Sequence, residues 1–319
     1  MALIIDCHVH ISALTPAHGM MSQKLLNSVP FRFMQRRLGL AGRDEATERG
    51  LEAKLADTIK GTEKLDAAVV LAFDAVHDEE GRMDLEKTHL YVTNDYVIEL
   101  ARRHPKMLFG ASVHPYRKDA VAELERCAKA GAVLVKWLPL TQDFNPADSR
   151  CFPFYEALAH LRIPLLSHTG FEQSLPTIRP DVADPMLLKP AIERGVTIIA
   201  AHCGTKSTPW NEDFLPNWAK LAREHEHFYG DTSALNLPTR SYAYKTVTKD
   251  SVLRSKLVHG SDWPIIPVPP VRAIGLRESW KLWKENNWMR RDVLIKEKLD
   301  LDDDYWERGA KILRLPKSA

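Results

Sequence analysis

The sequence predicts an α/β protein, a closed (β/α)8 TIM barrel with a helical insertion after its first strand. Three observations carry this. Eight short apolar runs recur along 319 residues, helix-compatible segments separate them, and one barrel commonly occupies a chain of this length. Strands alternating with helices build parallel βα units. Several runs are apolar at nearly every position, the pattern of strands covered on both faces. No Gly-x-Gly-x-x-Gly follows the first run, which removes the usual dinucleotide-binding reading of an open sheet.

In chain order the expected strands are 3–6, 67–73, 107–113, 132–138, 163–168, 196–202, 227–231 and 256–262. Helical patterns fill 94–104, 120–130, 154–161, 185–194 and 215–225. Residues 11–66 are longer than one crossover helix needs. They hold an apolar, basic piece (Leu25, Leu26, Phe31, Phe33 and Met34 with Arg32, Arg36 and Arg37) and an expected helix over 45–60. Leaving the first strand, this segment belongs at the C-terminal rim of a barrel, where lids and subunit contacts are built. A packed helical insertion or a homo-oligomer contact suits its composition better than membrane binding. Residues 304–315 read as a closing helix outside the barrel. The expectation is one domain over residues 1–319, with 11–66 as the rim insertion.

Composition narrows the function. Hydrophobic residues make up 45% and charged residues 27%, ordinary for a globular protein and incompatible with disorder. Lys+Arg number 44 against 42 Asp+Glu, a net charge of +2 without clustering. That balance offers no electrostatic case for nucleic acid or an acidic membrane as partner. No run of eighteen apolar residues spans a bilayer, and the Met1–Asp6 start has the wrong form for a signal peptide. Four cysteines stand far apart without a Cys-x-x-Cys pair, so neither a zinc ribbon nor a disulfide framework is expected. A cytoplasmic protein acting on a small-molecule substrate follows as the expectation.

The informative residues are polar ones that end apolar strands. In Asp6-Cys7-His8-Val9-His10, strand alternation would put Asp6, His8 and His10 on one face and Cys7 and Val9 on the other. Two imidazoles at i and i+2 can converge on one metal ion. Cys7 and Cys203 read as small buried neighbours of ligands. Lys136 sits inside 132–138 with Val135 and Trp137 beside it; a lysine there is costly unless its charge is paired or removed. His168, His202 and Asp262 close the runs before Thr-Gly, Cys-Gly and Trp-Pro. Singly, His202 could be a satisfied core histidine and Asp262 a turn cap. Coincidence at the ends of four separate strands points to a metal pocket on the C-terminal face.

These pieces resemble the amidohydrolase superfamily, specifically its amidohydrolase-2 group of metal-dependent hydrolases and decarboxylases. The matching motifs are Asp6-Cys-His-Val-His10, Val135-Lys-Trp-Leu-Pro139, Leu166-Ser-His-Thr-Gly170, Ala201-His-Cys-Gly204 and His259-Gly-Ser-Asp-Trp-Pro264. The end, Glu307-Arg-Gly-Ala-Lys-Ile-Leu-Arg-Leu315, is similar to the family's last helix. The resemblance implies that His8, His10 and Asp262 bind a first divalent ion, and His168 and His202 a second where one is present. Lys136, carboxylated by carbon dioxide, would bridge the two. In single-metal members His168 joins the first set and His202 is free for substrate or protons. Imidazole and carboxylate donors suit Zn2+ best, with Mn2+, Fe2+ or Ni2+ as alternatives.

The chemistry expected is hydrolysis of a small amide, ester or lactone by a metal-activated water, with Asp262 and His202 as catalytic residues. The runner-up is non-oxidative decarboxylation of a small aromatic acid, with His202 protonating carbon. A non-catalytic binding barrel is the third reading, and the intact ligand set speaks against it. His114, Trp137, Arg240 and Trp263, together with Arg179 and Tyr242, are the candidate substrate contacts, being polar or aromatic residues expected near the rim.

Overall fold

The computed structural model describes residues 3–40, 42–302 and 304–315. Eight parallel strands form one sheet: β1 Ile5–His10, β2 Ala67–Leu71, β3 Met107–Ala111, β4 Leu134–Trp137, β5 Leu165–His168, β6 Ile198–Ala201, β7 Phe228–Asp231 and β8 Leu257–Val258. They pair in chain order, as right-handed βα units require. The sheet curls until its two edges meet. Cys7 N–H donates to His259 O (3.0 Å), Asp262 N–H to His8 O (2.9 Å) and His10 N–H to Trp263 O (2.8 Å). This seam puts β1 beside the segment leaving β8.

Alternation along the strands sorts the side chains into two layers. Leu134, Leu166, Ile199 and Val258 pack inside the barrel, with Leu313 closing its lower end. Val135, Trp137, Leu165, Ile198 and Phe228 pack outward against the helices. The last helix, Tyr305–Ile312, lies against β1 and β8, as the closing pattern in 304–315 implied. Of the other expected helices, 94–104, 120–130 and 215–225 are found within one residue at their ends, as Asn94–Arg103, Ala120–Lys129 and Leu215–Glu224.

The insertion holds three helices: α1 Gln23–Leu26, α2 Val29–Arg37 and α3 Glu45–Lys60. Each begins on a side-chain cap: Ser22, Ser28 and Asp44 accept the N–H of Leu25, Phe31 and Thr47. A short antiparallel ribbon, Gly19–Met21 against Leu90–Val92, joins it to the rim. Among the described residues, no helix is long and apolar enough to cross a membrane.

Strict alternation fails in β1. Its pairing with β2 shifts by one residue between Asp6 and Val9, the signature of a bulge. Asp6 therefore does not share a face with His8 and His10, as alternation alone implied. Its Oδ1 instead accepts the N–H groups of Ser261 (2.9 Å) and His8 (3.1 Å), tying the bulge to the seam.

Candidate metal centre

Five strands deliver polar side chains to one end of the barrel. His8 and His10 come from β1, Lys136 from β4, His168 from the end of β5, and His202 and Asp262 from the turns after β6 and β8. His8 Nε2 lies 3.0 Å from His10 Nε2, 3.2 Å from Lys136 Nζ and 3.4 Å from Asp262 Oδ1. His10 Nε2 is 3.3 Å from the same oxygen. Donor atoms of His8, His202 and Asp262 all fall within 4.8 Å of one another. The His168 ring centroid is 4.8 Å from that of His202.

Three nitrogens and an oxygen crowding one point form a poor hydrogen-bond network, since His8 Nε2 has a single in-plane site. His168 Nε2 is buried with no partner. Such an orphan is costly in a protein interior unless something else satisfies it. The donor set fits a divalent cation, which His8, His202 and Asp262 would hold with His10 and His168 beside them.

The imidazoles are pre-set as ligands. His8 Nδ1 faces Asp231 Oδ2 at 2.7 Å, so Nδ1 carries the proton and Nε2 turns its lone pair inward. His202 Nδ1 faces Ser233 O at 2.9 Å and Ser233 Oγ at 2.8 Å. The carbonyl only accepts and the hydroxyl donates to Asp231 Oδ1, so Nδ1 carries the proton and Nε2 again holds the lone pair. Burial, with Lys136 adding to it, lowers the His8 pKa to about 4, and burial lowers that of His202 to about 3. Both are neutral at pH 7, the form that binds metal. Burial pushes Asp262 upward, but His8, His10 and His202 around it prevail and hold the carboxyl well below the ordinary range. Burial also lowers the Lys136 pKa to about 8, against the pull of Asp231, Asp262 and Glu172.

The backbone is strained here as well. Only six non-glycine residues among those described have positive φ, and His202 (60°), Cys203 (52°) and Asp262 (63°) are three of them. Such conformations persist where the surroundings over-determine them. Asp231 does this for His202, accepting its N–H at 2.8 Å while also bonding Ser233 N–H and its hydroxyl. Asp231 was not singled out in the sequence, although it closes an apolar strand as the other site residues do.

The proposed substrate contacts divide. Trp263 lines the cavity over the cluster, together with His10, His168, His202 and Asp262. Trp137 does not: it points outward from β4, stacks on Phe154 and donates its indole N–H to Val113 O at 2.7 Å. Inward-facing Lys136 forces this, because neighbours in a strand face opposite ways. His114 is locked behind the rim, its Nε2 on Gln142 O at 2.8 Å and its ring against Phe144. Arg240 is buried behind the ligands and bonds Thr205 O (3.0 Å) and Phe171 O (2.8 Å). It joins the turns after β5 and β6 and does not line the cavity. Arg179 pairs with Asp181, and Tyr242 with Asp213.

Comparisons with known proteins bear on the family and the fold. A family model described as amidohydrolase matches residues 5–285, while a comparison with curated proteins finds no match. Among solved structures, a TIM-barrel protein from Bordetella bronchiseptica is similar at 18% identity, covering 98% of this chain and 95% of its own, TM-score 0.61. A probable 2-pyrone-4,6-dicarboxylic acid hydrolase from Acinetobacter baumannii follows at 16% identity, 98% and 97% coverage and TM-score 0.56. A 2,6-dihydroxybenzoate decarboxylase from Rhizobium stands at 14%, 98%, 99% and 0.56. At these identities the likeness is one of fold. With the family model spanning most of the sequence, the chain belongs to the amidohydrolase family, an enzyme family of metal-dependent barrels.

Proposed function

We propose that this protein is a zinc-dependent hydrolase of an amide, ester or lactone carbonyl. The observation that carries the proposal is the position of Asp262. Its carboxylate touches both β1 imidazoles, at 3.3 and 3.4 Å, and also lines the cavity. One base thus adjoins both the cation locus and the space for substrate. A divalent ion here would polarise the carbonyl and acidify water. Asp262, anionic at neutral pH, accepts the proton of the attacking water and returns it to the leaving oxygen or nitrogen. His8 and His202 keep their lone pairs inward through Asp231 and Ser233.

The tautomer of His202 supports hydrolysis over decarboxylation. With its proton held on Nδ1 by Ser233 O, Nε2 has none to give to a substrate carbon. Lys136 supports a second ion. It is 1% exposed, and among the described residues its one hydrogen-bond partner is His8 Nε2. Carboxylation would turn this ill-placed ammonium into an anionic oxygen ligand, and carbon dioxide reacts with the neutral amine that burial favours. The four free cysteines fit a reducing, cytoplasmic setting.

The test is turnover of a panel of esters, lactones, amides and carboxylic acids by metal-loaded and chelated protein. Hydrolysis that ends on chelation, and a loss of roughly 10^2- to 10^4-fold in Asp262→Asn, is the expected result. Carbon dioxide released from an acid would establish the decarboxylase instead. Metal binding without any turnover would leave the binding barrel.

A further inference from the structure

A cavity of about 1030 Å³, counting the space open at its mouth, rises from the metal cluster into the insertion. Its wall has an unusual origin. Phe31, Met34, Gln35 and Leu38 of α2 and its C-cap lie at i, i+3, i+4 and i+7, one face of a helix. All four line the cavity. Helix α2 has no buried residue, although an apolar stripe at this spacing normally packs on protein. Here it stays partly exposed: Phe31 and Leu38 also touch the core, and the stripe looks across the cavity to Leu51 of α3 and Leu175 of the turn after β5. Among the described residues, the lining contains no lysine or arginine, and it includes the carboxylates of Glu172 and Asp262.

We infer that the substrate is a neutral carbonyl compound carrying a long alkyl or comparably apolar group, which lies along the inner face of α2. This rests on the hydrolase reading for the carbonyl end and on the cavity for the rest. The reactive carbonyl sits among His10, His168, His202 and Asp262 at the floor, and the apolar group fills the upper part. A second carboxylate on the substrate finds no cation there and meets Glu172, whose Oε1 already accepts the N–H of Gln173 at 2.8 Å. Burying the apolar group covers the part of the stripe that α2 leaves accessible.

The experiment is calorimetric titration of the zinc-loaded full chain with straight-chain alkanehydroxamates, from acetyl through butyryl, hexanoyl and octanoyl to decanoyl. Their head binds the metal and needs no turnover. Affinity is expected to rise about fourfold for each methylene buried. Met34→Asp and Phe31→Asp should cut that gain per methylene to less than half, two positions guarding against failure of one variant to fold. Phe33→Asp, on the exposed side of α2, should leave the gain intact. An ω-carboxylate on the octanoyl chain should weaken binding at least tenfold. Affinity independent of chain length, or unharmed by the ω-carboxylate, overturns the inference. The matching p-nitrophenyl esters separate it from the hydrolase reading. A chain-length gain in hydroxamate affinity without turnover of any ester keeps the apolar pocket and rejects hydrolysis. Turnover of short esters with a flat hydroxamate series does the reverse.

Discussion

Asp231 holds the centre together at the level of single residues. One oxygen fixes the His8 tautomer and the other holds the strained His202 backbone. Burial would raise its pKa, but His8 and its hydrogen bond prevail and keep it ionised. Asp231→Asn keeps the shape but loses the charge, and its amide can turn a donor towards His8 Nδ1. The expected outcome is a fall of about 10- to 100-fold in zinc affinity, read by competition with a chromophoric chelator, with little change in fold. Adjacent residues on β4 should behave oppositely. Trp137→Phe loses the indole bond to Val113 O, costing about 1 kcal/mol in urea unfolding while leaving zinc content and turnover unchanged. Lys136→Ala should keep stability and lose metal. Asp231 escaped the sequence because its partner His8 is 223 positions away, a pairing that no local pattern encodes. The candidate ligands were legible because a histidine, lysine or aspartate inside or ending an apolar strand invites a reason; Asp231 ends one too, and only its partner was hidden. Trp137 was misjudged for want of one step: the face of Lys136 determines the face of its neighbour.

At the element scale the insertion depends on a single glutamate. Glu48 of α3 accepts from Leu14 N–H, Thr15 N–H (2.9 Å), the Thr15 hydroxyl and His18 Nδ1. It thereby clamps the chain leaving β1 to the helix that walls the cavity. Burial pushes its carboxyl up, yet the bonds from Leu14, His18 and Thr15 outweigh this and bring it below 4.5. Glu48→Ala should cost about 2–3 kcal/mol and open 11–66 to proteases before the barrel. The sign of the pH dependence follows from the lowered value. The contribution is complete above about pH 4.5 and is lost as the pH falls through the folded-state pKa. The Tm gap between wild type and Glu48→Ala should thus hold from neutral pH to about 5 and narrow in more acid buffer. The helix over 45–60 was expected from the sequence and is found at Glu45–Lys60, while its Asp44 cap emerged with the structure. That the stripe of α2 lines the cavity was not, because the same apolar spacing serves a core, a partner or a ligand.

On the scale of the whole molecule, the barrel's seam runs through the candidate metal centre. His8 and His10 stand on β1 and Asp262 just after β8, while His168 and His202 come from the strands across the barrel. A cation shared by these groups ties together the two edges whose hydrogen bonds close the sheet, at Cys7, His10 and Asp262. The alternation of eight strands was readable because parallel strands buried on both faces cannot be polar. Closure followed only from the number of strands, and the seam contacts of Cys7, His10 and Asp262 that make it, between the first strand and the segment after the last, were not readable. Binding of metal to the folded state alone must raise stability, by about 2.7 kcal/mol when free zinc exceeds its Kd a hundredfold. For a chain of this size that is about 5 °C in Tm. Without metal, the lowered pKa of His8 sets the acid limb. Below about pH 6.5 the unfolded chain takes up protons that the folded one refuses until about pH 4, so stability falls across that window. Scanning calorimetry of chelated and zinc-loaded protein at pH 7.5 should therefore show the gain in the native chain. His8→Ala and Asp262→Ala should lose it, and Trp137→Phe should keep it from a lower starting point. Hydrogen exchange should place the same gain at the amides of Cys7, His10 and Asp262. Equal Tm values with and without zinc, at a metal content of one ion or more per chain, would sever the centre from barrel closure.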